Sequence, residues 1–142
     1  MTSITDIQST YARDGYVVVP DLIDPTTLAE LSQRIDASVQ GKSGPPVSPS
    51  HNFEGGDRKV VRKLVDLAVS DSFFAGVARR SPILDVVAAL TGARGILLYS
   101  DQAFLKPALH GSEKPLHQDN AYFTVAPMDA GVTCWLAVDA AT

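Results

Sequence analysis

Apolar positions follow two different rhythms along the chain, helical in the middle and β-like after Gly95. The first apolar block, Tyr16 to Val19, is short, rich in valine and closed by Pro20, and predicts a strand. Asp24 then stands ready to cap a helix, with Pro25 in the first turn, where its missing N–H costs nothing. Leu28, Leu31, Ile35 and Val39 follow at helical spacing and form one buried stripe. Residues 41–57, "GKSGPPVSPSHNFEGGD", have no period and are rich in Gly, Pro and Ser, so they predict a mobile surface loop. Asp71 caps a short helix carrying Phe73, Phe74 and Val77. Ser81 and Pro82 open another, with Ile83, Leu84, Val86, Val87 and Leu90 inside and Gly92 as its stop.

Beyond Gly95, "ILLYSDQAFLKP" and "GVTCWLAVD" predict strands. In the second, Val132, Cys134, Leu136 and Val138 share one face, and Thr133, Trp135 and Ala137 share the other. The order is strand, helix, loop, helices, strands, with no internal repeat. It predicts an α+β class and a single domain over residues 1–142. Three or four strands close neither a sandwich nor a barrel. The β part therefore reads as incomplete, with an edge open to a second copy of the chain.

Composition narrows the function classes. The chain has 142 residues, 45% hydrophobic and 20% charged, with a formal net charge of −4, ordinary for one globular domain with a core. The densest basic cluster (Arg58, Lys59, Arg62, Lys63) is mixed with apolar residues, and no basic stripe is present to neutralise phosphates, which argues against nucleic acid as a partner. One cysteine, Cys134, excludes an internal disulfide framework and a thiolate cluster. "MTSITDIQST" lacks the basic and apolar regions of a secretory signal, and no apolar run approaches the roughly 20 residues of a membrane span. A cytoplasmic location with no membrane partner is the expectation.

The chemistry concentrates in "KPLHQDNAYF", residues 114–123. At a strand end, His117 and Asp119 project to the same side, because positions i and i+2 share a face. An imidazole and a carboxylate aimed at one point make two of the three donors of a non-haem Fe(II) facial triad. An H-x-D pair also arises where a His closes a turn and an Asp accepts backbone N–H bonds, and the pair alone leaves both readings open.

Three stretches add context: "DGYVVVPDLIDPTTLAEL", "DQAFLKPALHGSEKPLHQDNAYF" and "VTCWLAVDAAT". Together they resemble the phytanoyl-CoA dioxygenase family, from about Tyr11 to Thr142. The resemblance implies a double-stranded β-helix (jelly-roll, cupin-like) with N-terminal helices packed on the sheet. It implies an oxygenase that uses Fe(II) as metal, with 2-oxoglutarate and O2 as co-substrates and a small molecule or acyl compound as substrate. His117 and Asp119 match the first two iron ligands. Related halogenases vacate the second ligand position for chloride, so Asp119 implies hydroxylation or desaturation. Lys63, Gln102, Gln118, Thr133 and Trp135 match positions around the co-substrate. Lys63 is also readable as a solvated lysine, Gln102 as a sheet-face polar residue, and Trp135 as core. Tyr122 and Phe123 read as packing beside the site, Lys106 as a contact or a turn residue, and His51 as incidental or substrate-facing.

The family pattern also calls for a distal His and a basic residue that holds the far carboxylate of 2-oxoglutarate. The histidines of this sequence are His51, His110 and His117, and no His or Arg follows Asp119. The chain therefore reads as the N-terminal portion of such an oxygenase, with the C-terminal half of the β core missing. The alternative is a truncated, non-catalytic family member acting as an oligomeric binding module. A cupin-like protein using another metal fits less well, since cupins show more than one His close together.

Overall fold

The computed structural model describes residues 3–42, 52–53, 60–106 and 113–140. Most of the expected 41–57 loop lies outside these residues, as do His51, His110, Arg58 and Lys59.

Helix α1 (Ile4–Asp14) has no counterpart among the elements that the hydrophobic pattern predicts. Its signals are local: Ser3 accepts from the Asp6 N–H as N-cap, and Gly15 ends it in the left-handed region at φ 79°. Ile7 is buried, and Gln8 donates to the Ala89 carbonyl at 2.8 Å, which ties α1 to helix α5 (Ser81–Thr91). Helix α2 (Pro25–Val39) forms as its cap and stripe predict. The Asp24 carboxylate accepts from the Thr27 N–H at 2.9 Å and from its hydroxyl at 2.7 Å. Arg80 adds an ion pair at 2.8 Å, so one carboxylate joins the start of α2 to the start of α5.

These contacts, the Thr27 hydroxyl foremost, hold the Asp24 carboxyl below the usual carboxylate range. A carboxyl depressed by folding adds stability above its unfolded pKa of about 3.9, and that stability is lost as pH falls through the folded value. Asp24→Ala is therefore expected to lower the urea midpoint at pH 7. The gap to the wild type should close as pH drops below about 4. Urea titrations at both pH values check this, and a gap independent of pH would assign the loss to something other than the charge.

A three-stranded antiparallel sheet of order β1-β2-β3 lies at the centre: β1 (Asn52–Phe53), β2 (Val61–Val65) and β3 (Gln102–Phe104). The β1–β2 register shifts between Asn52 and Phe53, so an extra residue enters β2. That irregularity puts Arg62 and Lys63 in a row between Val61 and Leu64, both buried. Two short helices follow, α3 (Leu67–Ser70) and α4 (Ser72–Ala78). The Asp101 carboxylate accepts from the Ala68 N–H at 3.0 Å, pinning the approach to β3 against α3. Asp71 caps α4 through the Phe73 N–H, as expected. Arg34 pairs with Glu30 and Asp71 and lies 4.5 Å from the Phe73 ring centroid, joining α2 to α4.

The core gathers Ile23, Leu31, Val61, Leu64, Leu67, Phe74, Val77 and Ile83 from both helices and sheet. It sits where the stripes of α2, α4 and α5 meet β2. Ser38 and Thr27 are buried with it, and both hydroxyls find partners, the Arg34 carbonyl and the Asp24 carboxylate.

Three strand expectations are corrected. Tyr16 to Val19 forms no strand, and Tyr16 and Val18 are exposed, with no strand among the described residues paired to them. "ILLYSDQAFLKP" contributes only Gln102–Phe104. "GVTCWLAVD" pairs with no strand among the described residues, and its alternation survives only in part: Val132, Leu136 and Val138 are partly buried, while Cys134, expected on their face, is exposed together with Thr133, Trp135 and Ala137. The architecture is thus mixed helix and sheet. A double-stranded β-helix is not formed among the described residues, where the sheet has three short strands. Among these residues no helix is long and apolar enough to cross a membrane.

Candidate functional site

Three segments meet on the face of β2 and β3 that turns away from the core. Lys63 pairs in register with Phe104, and Val65 with Gln102. Since alternate residues of a strand share a face, Gln102 and Phe104 project together, while Ala103 between them packs on the core. The third segment, 131–138, lays the Trp135 indole on the Phe104 ring, 5.7 Å between centroids and 6° from parallel. Lys63 Nζ stands 6.0 Å from the same ring centroid. Lys63, Phe104 and Trp135 thus form a cation and two stacked aromatic plates at the solvent boundary.

Two residues before Trp135, the Thr133 hydroxyl donates to Asp119 Oδ2 at 2.8 Å. The other carboxylate oxygen, Oδ1, faces His117 Nε2 at 3.5 Å. His117 Nδ1 lies 2.8 Å from the Pro115 carbonyl. A carbonyl only accepts, so Nδ1 carries a proton, and Nε2 is the ring nitrogen turned toward Asp119. Tyr122 sets its ring edge-on to the imidazole at 5.6 Å, and Phe123 packs on Tyr99 at 5.4 Å.

His117 and Asp119 meet for a different reason from the expected one. Asp119 is not on a strand; its φ of −55° and ψ of −37° make it the entry residue of a one-turn helix, α6 (Asn120–Phe123). Its own carbonyl accepts from the Tyr122 and Phe123 N–H groups. The Asn120 amide then clamps Val125, accepting from its N–H at 2.7 Å and donating to its carbonyl at 3.1 Å. A fixed turn, not a pleat, brings imidazole and carboxylate together.

The donor chemistry suits a divalent metal. Two donors on bonds of about 2.1 Å, roughly at right angles, stand about 3 Å apart, close to the 3.5 Å between Nε2 and Oδ1. The Nδ1–H···O=C bond fixes the ring and the tautomer, the usual support of a ligating His. Both side chains keep solvent access, at 29% and 45% exposed. The pair therefore fits two positions of a facial triad. Among the described residues no third His, Cys, Asp or Glu joins them. His51 and His110 lie outside those residues.

Of the remaining sequence candidates, Gln118 and Lys106 are exposed. Cys134 is exposed too, and partial desolvation raises its thiol pKa. Phe104 and Pro115 went unrecognised in the sequence. Phe104 had a usable signal, its i+2 spacing from Gln102. A backbone carbonyl such as that of Pro115 has none.

Compared with known families, residues 11–142 match the family model described as phytanoyl-CoA dioxygenase (PhyH). Neither the curated proteins nor the solved structures gave a match.

Proposed function

The chain belongs to the phytanoyl-CoA dioxygenase family, and from that premise we propose that it is an oxygenase that uses Fe(II) and 2-oxoglutarate. The observation that carries this reading is the His117–Asp119 pair, with Nε2 turned to a carboxylate oxygen at 3.5 Å. In this reading His117 Nε2 and Asp119 Oδ1 hold the iron. When bound, Fe(II) and 2-oxoglutarate would activate O2, the oxidant, with 2-oxoglutarate itself oxidised to succinate and CO2.

The protein's own residues bind, orient and shield. Lys63 offers a positive charge to a dicarboxylate, and its place beside Phe104 supports a role at the edge of the co-substrate. Gln102 and Gln118 offer amides toward the co-substrate, and Trp135 an apolar plate beside it. Thr133 shares the Trp135 face. An aspartate at position 119 favours hydroxylation-type oxidation of a small-molecule or acyl substrate.

The test is succinate formation from 2-oxoglutarate with Fe(II), ascorbate and O2, beside an Asp119→Ala control. Succinate above the control supports the oxygenase. Equal succinate in both proteins, with and without a panel of acyl and small-metabolite substrates, removes it.

A further inference from the structure

We infer that Thr133 is a positioning residue of the metal site, acting through Asp119 rather than on the co-substrate. The inference rests on the proposed iron-binding role of His117 and Asp119 and assigns a partner that holds their geometry. Thr133 was matched to the co-substrate pocket by resemblance, yet its hydroxyl is committed elsewhere: it donates to Asp119 Oδ2 at 2.8 Å.

That bond makes the two carboxylate oxygens unequal. Oδ2 carries a donated hydrogen bond, and Oδ1 faces His117 Nε2 at 3.5 Å. A carboxylate free to rotate offers either oxygen, or both, to a cation. Held by Thr133, Asp119 offers one oxygen on the side of the imidazole and leaves neighbouring positions open. The imidazole is fixed in the same way from its far side, by the Nδ1–H bond to the Pro115 carbonyl at 2.8 Å. Each donor thus has one outer partner, and the two partners come from different segments, residues 113–118 and residues 131–138. Thr133 links the Trp135 wall to the metal edge, so displacement of one moves the other.

Outer partners of metal ligands matter at the level of about 10–100-fold in metal affinity. Co(II), which shares the imidazole and carboxylate preference of Fe(II), serves as a stable probe. Titration of Co(II) into the wild type, Thr133→Val, Thr133→Ser and His117→Ala, without 2-oxoglutarate, separates the possibilities. The expected result is an affinity about 10–100-fold weaker in Thr133→Val, with Thr133→Ser near the wild type. Thermal midpoints should stay unchanged, since position 133 is exposed. In turnover, Thr133→Val should raise the Fe(II) requirement and leave the 2-oxoglutarate KM at saturating iron unmoved. Co(II) affinity in Thr133→Val equal to the wild type, with binding still lost in His117→Ala, overturns this inference and leaves the proposed function standing. Binding indifferent to His117 overturns both.

Discussion

Leu64→Ala is expected to destabilise the fold by about 2–5 kcal/mol, the range for removing a fully buried leucine side chain. Leu64 is 0% exposed and sits on β2, the central strand, with β1 and β3 paired on either side. Core residues from α2, α3 and α4 (Leu31, Leu67 and Phe74) belong to the same buried cluster. Backbone ladders hold β2 from both edges, so the cavity cannot collapse by moving the strand, and the cost should fall in the upper half of that range. Domains of this kind are stable by about 5–15 kcal/mol in total, so the variant stands to lose a large share. Leu64→Met keeps the volume and should cost less than about 1.5 kcal/mol. Urea unfolding of the two variants measures the contrast. A loss below about 1 kcal/mol for Leu64→Ala would mean that the sheet is not the centre of the core.

His117→Ala is expected to do the opposite: little to stability and nearly everything to metal binding. The imidazole is 29% exposed and touches its surroundings through the Pro115 carbonyl and the Tyr122 ring edge, so its removal leaves no buried cavity. Loss of an outer partner of a ligand costs about 10–100-fold in affinity, and loss of the ligand itself should exceed that. The expected change in Fe(II) affinity is therefore more than about 100-fold, with the thermal midpoint retained. Anaerobic equilibrium dialysis and thermal unfolding, run on the same preparation, read the two effects separately. A fall in midpoint matching the fall in affinity would make His117 a structural residue.

The capped helices α2, α4 and α5 were the legible part of the sequence. Asp24–Pro25, Asp71 and Gly92 are local signals whose effect depends on a few neighbouring residues, and each marks a helix end as expected. Strands were less legible because a strand exists only with a partner. "GVTCWLAVD" keeps only part of its alternation and pairs with no strand among the described residues, and β2 was hidden by Arg62 and Lys63 standing together where the register is irregular. The site followed the same division. Residue types and spacing pointed to His117 and Asp119, and the family pattern added Lys63, Gln102, Thr133 and Trp135. The structure brings Lys63 and Trp135 to one aromatic plate, Phe104, and turns Thr133 to Asp119. What the sequence could not carry was the means of convergence: a one-turn helix opened by Asp119, a carbonyl at Pro115 and an amide clamp at Asn120. These are backbone geometries that many sequences adopt.

The most direct measurement is the anaerobic affinity of the chain for Fe(II), with and without 2-oxoglutarate. If metal and co-substrate share one site at His117 and Asp119, 2-oxoglutarate tightens Fe(II), and Fe(II) tightens 2-oxoglutarate by the same factor. His117→Ala then abolishes both effects. Fe(II) binding that is indifferent to 2-oxoglutarate and to His117 would contradict the oxygenase reading.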